Sequence, residues 1–225
     1  MRKRLFFNKR LVGEYDAIVS PILSYDASQV AFFAKRANQY SLIVAADQDT
    51  KEYPAGKEYR ALAFSPDSKH TACIAREDGK DYFVYDGIKE ARGYDHILKE
   101  PIFYGGRAAY LANTVSDASY QVFMVTADGL SDAYTSIESV VVSPDGKRLA
   151  YVGKKGRTSI VMVYGRKAQS YPDDDVRDLT FSPDSKRLAR DVWFKRVAND
   201  ERTANSGFQS CVVLDGQESQ AYDDI

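Results

Sequence analysis

The sequence contains "FSPDSK" at residues 64–69 and again at residues 181–186, and the related phrase "VSPDGK" at residues 142–147. An apolar segment precedes each copy, and a second apolar segment follows it. Pro66 fixes φ near the value that the second position of a type I turn requires. The side chain of Asp67 suits the next position because it can accept hydrogen bonds from nearby amides. The phrase is therefore predicted to be a hairpin turn between two β-strands.

The turn recurs with a constant period. Its aspartates are Asp26 (in "SYDASQVAF"), Asp67, Asp145 and Asp184, at intervals of 41, 78 and 39 residues, and 78 is twice 39. The segment "PIFYGGRAAYLA" at 101–112 fills the missing place, with Gly105-Gly106 as its turn. A second phrase keeps the same step: "EYDAI" ends at Ile18, "GYDHI" at Ile97, "AYTSI" at Ile137 and "AYDDI" at Ile225, with weaker versions ending at Leu62 and Val176.

Each repeat is predicted to form four short strands. Strand A precedes the turn, strand B follows it, strand C ends in "YFVYDG", "IVMVYG" or "CVVLDG", and the short strand D leads to the tyrosine phrase. One such sheet cannot bury both of its faces, so repeats of about 40 residues with four strands stack as the blades of a β-propeller. No long window shows the periodicity of a helix.

The quoted phrases carry a resemblance. "FSPDSKR", "VSPDGKRLAYV" and the "VYDG" phrase followed by "YD-I" resemble the WD40-like, TolB-type (PD40) β-propeller repeats of bacterial proteins, over residues 15–225. The resemblance implies an all-β propeller that serves as a binding platform or as an accessory domain of a peptidase. The Gly-His and Trp-Asp pairs of WD40 repeats proper are missing, since Trp193 is the only tryptophan and lies between Val192 and Phe194.

The tyrosine phrase divides residues 19–225 into five repeats that form one domain: 19–62, 63–97, 98–137, 138–176 and 177–225. Residues 1–18 are related to the C–D end of a repeat, so that five A–B pairs face six C–D ends. We expect a monomeric, closed ring of five four-stranded blades, which residues 1–18 help to close. The alternatives are an open or incomplete six-bladed ring, or a sixth blade completed by another chain. Unpaired edges would then favour self-association.

The composition limits which binding partners and which cellular location the sequence predicts. Lys and Arg number 31 against 32 Asp and Glu, so no basic excess indicates nucleic-acid binding. No apolar run is long enough to cross a membrane. The apolar stretch in "MRKRLFFNKR" is too short for a signal peptide, so a cytoplasmic protein is expected, or a periplasmic one if a leader was removed. The two cysteines, Cys73 and Cys211, lie in apolar strands and are expected to be buried thiols.

A candidate binding face follows from the loops. In a propeller the D–A crossings and the B–C turns share one face, and a mouth rich in acid can attract a cation or a basic peptide. The residues expected there are Asp16, Arg60, Asp95, His96, Asp173, Asp174, Asp175, Arg177, Arg202 and Asp223. The run Asp173–Asp175 lacks the spacing of a calcium loop, and neither His70 nor His96 has a second zinc ligand nearby. No metal, cofactor or catalytic residue is predicted, and no G-x-S-x-G elbow occurs.

Three functions remain open at this stage. The first is a non-catalytic scaffold that binds a protein or peptide partner through the D–A/B–C loop face. The second is a glycan or small-molecule site in the central funnel, with hydrolysis if two carboxylates lie about 5–10 Å apart. The third is a propeller fragment or an engineered repeat without an independent function.

Overall fold

The computed structural model describes residues 2–55, 58–116, 119–163, 166–195 and 208–223. Throughout these ranges the regular structure is β-strand, and no helix occurs in them. The chain divides into two compact units, Met1–Ser119 with Val125–Gly129, and Tyr120–Met124 with Leu130–Ile225. Each unit is described by itself.

The first unit contains a two-stranded hairpin and two four-stranded sheets. The hairpin is β1 (Lys3–Phe7) and β2 (Arg10–Tyr15). The first sheet is β3 (Ala17–Leu23), β4 (Gln29–Arg36), β5 (Gln39–Ala46) and β6 (Thr50–Ala55), and the second is β7 (Glu58–Phe64), β8 (Thr71–Glu77), β9 (Lys80–Tyr85) and β10 (Ile88–Lys89). Neighbouring strands are antiparallel and follow chain order, as predicted for strands A to D.

The division between the units runs through the third sheet. That sheet contains β11 (His96–Ile97), β12 (Ile102–Tyr104), β13 (Arg107–Ser116), β14 (Ser119–Thr126) and β15 (Gly129–Leu130). The second unit adds a fourth sheet, β16 (Ser136–Val142), β17 (Leu149–Lys155), β18 (Thr158–Val163) and β19 (Arg166–Pro172). The fifth is β20 (Asp175–Phe181), β21 (Leu188–Lys195), β22 (Phe208–Leu214), β23 (Gln217–Glu218) and β24 (Tyr222–Asp223). The sheets therefore begin two to five residues before the predicted repeats.

The repeated phrase forms the turn between strands A and B. In the second sheet the amide of Ser68 donates to the carbonyl of Ser65 at 2.9 Å, and the amide of His70 donates to Ser65 Oγ at 3.0 Å. Ser65 Oγ in turn donates to the carboxylate of Asp67 at 2.5 Å. The same bonds recur in the turns 24–29, 143–148 and 182–187. The serine before the proline is thus as much a part of the turn as Pro-Asp.

The fourth residue of each turn has a positive φ. It is 56° at Ala27, 63° at Ser68, 69° at Gly146 and 62° at Ser185. Glycine accepts this conformation without strain, whereas serine does not. The two serines make a compensating bond between neighbouring sheets: Ser68 Oγ accepts from the amide of Asp26 at 3.0 Å, and Ser185 Oγ accepts from the amide of Asp145 at 2.9 Å.

Four of the A strands contain a β-bulge that the sequence did not predict. The pairing with strand B shifts register after Val19, Arg60, Glu138 and Arg177. Each shift contains a residue with positive φ, namely Ser20 (49°), Ala61 (55°), Ser139 (46°) and Asp178 (47°). A bulge bends its strand and increases the local twist.

Tyrosines at the end of strand D fill the core beside the following strand B. Tyr15, Tyr94, Tyr134 and Tyr171 are 2–4% exposed. Three of them meet an aromatic ring edge-on, in the pairs Tyr15–Phe32, Tyr94–Tyr110 and Tyr134–Tyr151, with centroids 5.4–6.2 Å apart. The hydroxyl of the fourth, Tyr171, accepts from Arg190 Nε at 2.6 Å.

Two tyrosines of the repeated phrase differ from this pattern. Tyr59 pairs with Ala75 in register, as Ile18 pairs with Ala34, so it occupies the aliphatic position of the phrase and not the tyrosine position. Tyr222 pairs with Ser210 in the expected place but is 60% exposed. Both cysteines are buried thiols without a disulfide, and burial raises the pKa of Cys73 to about 12.

Candidate functional site

A cavity of about 370 Å³ opens between the first and second sheets at the end that carries the B–C turn and the D–A crossing. We call it the aromatic cavity. Its lining residues come from four strands and are Val19, Phe33, Lys35, Tyr40, Glu58 and Tyr59. Val19 is 39% exposed, so the cavity is open to solvent at that side.

A departure from the repeat explains why the cavity lies here. Tyr40 of strand C is opposite Ala55, at the place where Asp81 and Ser159 are opposite Tyr94 and Tyr171. At this place in strand D the sequence therefore has an alanine, Ala55, where the other two repeats have a tyrosine. In the second sheet, strand B also has a small side chain at the facing position.

That facing position is Cys73, which aligns with Phe32 of the first sheet. At Cys73 a large side chain of the repeat is thus replaced by a small one. Tyr59, which enters from strand A, compensates in part: its ring lies 5.0 Å from the ring of Phe33 at an angle of 37°. Three aromatic rings consequently surround a space that the repeat normally fills.

Two opposite charges border the aromatic cavity. The ammonium of Lys35 lies 5.4 Å from the centroid of the Tyr40 ring. Neither Lys35 nor the exposed Glu58 forms a side-chain hydrogen bond or ion pair with any residue that the structure describes. Both charges are therefore available to a ligand.

The predicted acids of the first unit are used to hold loops. Asp16 Oδ2 accepts from the amide of Ala37 in the B–C turn at 2.9 Å. Asp95 Oδ2 accepts from the amide of Val115 at 2.7 Å, and its Oδ1 accepts from Lys80 at 2.5 Å. The bond from Lys80 holds the pKa of Asp95 below its usual range. These carboxylates fix the crossings, as an aspartate after a strand commonly does.

The predicted residue Arg60 belongs to a network that sequence reasoning missed. Its guanidinium donates to the fully buried carboxylate of Asp81 and, at 3.0 Å, to the carbonyl of Ile97. Asp81 also accepts from Arg76 at 2.8 Å and from the amide of Ile97 at 2.8 Å. An aspartate directly before the predicted strand segment "YFVYDG" was the available signal. The neighbouring His96 is exposed, and its amide donates to Asn113 Oδ1 at 2.8 Å.

The acids of the second unit diverge from one another. Asp173 pairs with Arg157 at 2.7 Å, and Asp175 pairs with Lys154 and with Arg177. Burial, followed by the charge of Asp173, raises the pKa of Asp174. Burial opposes the ionisation of Asp175, but the bonds from Lys154 and Arg177 prevail and lower its pKa.

No set of three or more potential metal ligands occurs within the described ranges. Arg177 also covers an aromatic ring: its guanidinium carbon lies 4.6 Å from the ring of Trp193. The Trp193 Nε1–H donates to Asp191. The predicted residue Arg202 lies outside the described residues, and of Asp223 only the backbone is described, in β24. In the part of the chain that the structure covers, no helix has the length and apolarity to span a membrane.

Several solved structures resemble this chain. TolB from Acinetobacter baumannii matches at a TM-score of 0.39 and 17% identity, over 96% of this chain and 56% of TolB. A eukaryotic initiation factor matches at 0.54 and 10%, over 97% of this chain and 58% of that one. The β-propeller domain of the Trilobed protease from Pyrococcus furiosus matches at 0.46 and 15%, over 93% of this chain and 71% of that domain. No protein-family model and no curated protein sequence matches.

These similarities concern the fold. The predicted all-β, propeller-type fold is confirmed by the run of four-stranded antiparallel sheets in the described ranges. The number of blades stays a prediction. This chain spans less than two thirds of TolB and of the initiation factor, and the low identities extend no activity to it.

Proposed function

We propose that this chain is a non-catalytic binding module that receives a protein or peptide partner on its D–A/B–C loop face, with the aromatic cavity as the principal contact. The observation that carries the proposal is the cavity itself: three aromatic rings beside Lys35 and Glu58, whose charges have no partner among the described residues. Its volume of about 370 Å³ suits one large side chain together with its flanking backbone.

The chemistry of the cavity favours a peptide. An aromatic or aliphatic side chain would pack on Phe33, Tyr40 and Tyr59, while a neighbouring acid would meet Lys35 and a backbone amide or a base would meet Glu58. Interfaces concentrate their binding energy in a few tyrosine, tryptophan and arginine anchors around an apolar centre. The stacked Arg177 and Trp193 of the second unit offer the same residue types.

In this proposal the principal contact is the aromatic cavity and not the predicted aspartates of the loop face. Asp16, Asp95 and Asp175 already accept hydrogen bonds from amides or cations of the chain itself. A partner that bound them would have to displace those bonds, which leaves less net gain. Charge steering by the remaining acids is a smaller contribution, since exposed charges are screened by salt.

A glycan is the second candidate, because aromatic rings also bind sugars. Hydrolysis would require two facing carboxylates, and Glu58 is the single carboxylate among the residues that line the aromatic cavity. At the aromatic cavity this candidate therefore takes the form of glycan capture without cleavage. The monomeric state and the cytoplasmic location stay predictions.

An array experiment distinguishes the two ligands. The whole chain is applied to octapeptides with one aromatic or aliphatic residue between charged residues, and to an oligosaccharide array. The Tyr40→Ala and Lys35→Glu variants should lose at least tenfold in peptide affinity. The matched control Tyr25→Ala alters a tyrosine that is 74% exposed at the A–B turn end, and it should bind as the parent does. Peptide binding that survives both cavity substitutions, or binding of oligosaccharides alone, would contradict the proposal.

A further inference from the structure

A second cavity opens between the first and second sheets, at the end that carries their A–B and C–D turns. Its volume is about 180 Å³, and a cavity of roughly 150 Å³ already admits a molecule of the size of benzene. We call it the polar cavity. Its lining includes Asp49, Lys51 and Tyr53 of the first sheet and Lys69, Thr71 and Asp86 of the second.

Thr71 departs from the repeat in the wall of the polar cavity. It pairs with the last residue of strand A, a place that Val30, Leu149 and Leu188 take in the first, fourth and fifth sheets. Thr71 is 4% exposed, and its hydroxyl forms no hydrogen bond with any residue that the structure describes. A buried hydroxyl without a partner lowers stability, which an aliphatic side chain would not do. A local departure of this kind is typical of a functional site.

Two cations border the polar cavity, one from each sheet. Lys51 belongs to β6, and Lys69 belongs to the A–B turn of the second sheet. Both side chains are exposed, and within the described ranges neither forms a side-chain hydrogen bond or an ion pair. Oxyanions form the strongest hydrogen bonds with such groups. Because the two lysines come from different sheets, a ligand with two anionic groups can pair with both.

The two carboxylates of the lining differ in their partners. Asp86 Oδ1 accepts from the amide of Thr71 at 2.8 Å, and Asp86 Oδ2 lies 2.7 Å from Nδ1 of His70. Both oxygens of Asp86 are therefore occupied by the chain itself. Asp49 is exposed, and its carboxylate has no hydrogen bond or ion pair with the part of the chain that the structure covers. Asp49 can therefore receive a cationic group of a ligand.

The walls of the polar cavity are fixed to each other. Gln29 Nε2 of the first sheet donates to the carbonyl of Ser68 in the second at 2.9 Å. The Tyr53 ring lies so close to Gly87 that a Cβ there would be 2.0 Å from it. A preformed site saves a ligand the cost of ordering it.

We propose that the polar cavity binds a free acidic α-amino acid, whose two carboxylates pair with Lys51 and Lys69 and whose ammonium pairs with Asp49. The hydroxyl of Thr71 donates to one of the carboxylates. Two negative charges and one positive charge of the ligand complement the charges of these three side chains. The site lies at the opposite end of the two sheets from the aromatic cavity, so it is separate from the contact proposed for a peptide.

Isothermal titration calorimetry of the whole chain tests the proposal with L-aspartate, L-glutamate and succinate, which lacks the ammonium. Lys51→Met and Lys69→Met should each weaken amino-acid binding about tenfold, because each removes a charge-assisted pair. The parent chain should prefer L-aspartate to succinate, and Asp49→Asn should reverse that preference. Lys147→Met is the matched control and should bind as the parent does. Lys147 takes the place of Lys69 in the turn of the fourth sheet and does not line the polar cavity.

Thr71→Val separates ligand binding from folding. The substitution removes the unpaired hydroxyl and introduces the residue type of Val30. We therefore expect Thr71→Val to unfold at a higher urea concentration than the parent when no ligand is present, and to bind L-aspartate about threefold more weakly. An unchanged affinity for L-aspartate, or unfolding at a lower urea concentration, would contradict the role given to the hydroxyl.

Three calorimetric results would overturn the proposal. One is the absence of binding by both amino acids at about 10 mM. Another is binding of succinate or inorganic phosphate to the parent as tightly as L-aspartate, which would indicate a site for anions in general. The third is amino-acid binding that neither lysine substitution weakens.

Discussion

Ser68 accepts a hydrogen bond at its Oγ from the backbone amide of Asp26, which lies 42 positions earlier in the chain. The bond joins the turns of two successive sheets, and Ser185 repeats it with Asp145. The fourth residue of the turn therefore has two structural roles. As a left-handed residue it closes its own turn, and as a serine it binds the turn of the preceding sheet.

This double role predicts different effects of two substitutions at Ser68. Ser68→Ala removes the bond, leaves the Asp26 amide without its partner and keeps the positive φ, so it should lower the free energy of unfolding by about 1–2 kcal/mol. Ser68→Gly loses the same bond but relieves the backbone, and should cost about 1 kcal/mol less than the alanine variant. Urea unfolding followed by circular dichroism measures both. Equal losses of unfolding free energy in the two variants would show that the positive φ of residue 68 carries no strain.

Gly153 is predicted to be intolerant of a side chain for a steric reason. A Cβ there would lie 2.3 Å from the ring of Tyr134. We expect Gly153→Ala to destabilise the chain by about 2–3 kcal/mol, as overpacked cores are destabilised. Gly146→Ala is the control, because its Cβ meets nothing within 4 Å and only its φ of 69° is unfavourable. Thermal unfolding should show partial rescue of Gly153→Ala by Tyr134→Leu, and a lack of rescue would exclude the clash as the cause.

The buried carboxylate of Asp81 should be more important for stability than either arginine that binds it. Asp81→Ala leaves Arg60 and Arg76 without their shared acceptor and the Ile97 amide unpaired, so a loss of about 3–5 kcal/mol is expected. Arg60→Ala should cost clearly less, since the Arg60 side chain is 46% exposed. Guanidinium unfolding of both variants and of the double variant measures the coupling. Additive losses would mean that Arg60 and Asp81 are not coupled.

The turn aspartates predict a loss of stability in acid. The bonds from Ser28 and Ser24 lower the pKa of Asp26 to about 2. The serine hydroxyl of each turn likewise lowers the pKa of Asp67, Asp145 and Asp184. A folded-state pKa below the unfolded value of about 3.9 gives stability that is present above that value and lost as the pH falls through the folded pKa.

The free energy of unfolding should therefore decrease between about pH 4 and pH 2. Asp26→Asn should weaken the dependence of the unfolding free energy on pH in that window, because one proton-linked group is removed. The exposed, non-titrating substitution Gln48→Ala is the control and should leave the slope as it is. Chemical unfolding at a series of pH values measures the slopes, and an unaltered slope in Asp26→Asn would contradict the assignment.

The local signals in the sequence predicted the turns and the fold class because Pro66, Asp67 and their counterparts act through bonds a few residues long. The tyrosine phrase was recognisable for the same reason, since Tyr15, Tyr94 and Tyr134 recur at the same place in their repeats. Tyr59 was misplaced because the preceding strand ends in Ala55, and a single sequence does not reveal which of two tyrosines keeps the register.

Other features depend on distant partners. The bulges at Ser20 and Ala61 have no residue preference that marks them, since neither is a glycine. The aromatic cavity is lined from four strands of two sheets, and only the folded chain brings Val19, Tyr40 and Tyr59 together. The internal hydrogen bonds of Asp16 and Asp95 are a similar case, because only folding brings the amide of Ala37 and the ammonium of Lys80 to these carboxylates.

The bulges of the A strands have a consequence for aggregation through the sheet edges. In the first, second, fourth and fifth sheets strand A ends the hydrogen-bonding order, so its outer backbone could template the growth of a foreign strand. The left-handed residue in the middle of each of these strands interrupts the straight ladder that cross-β stacking requires. We therefore expect these bulges to hinder the addition of a foreign strand at the A edges of the four sheets.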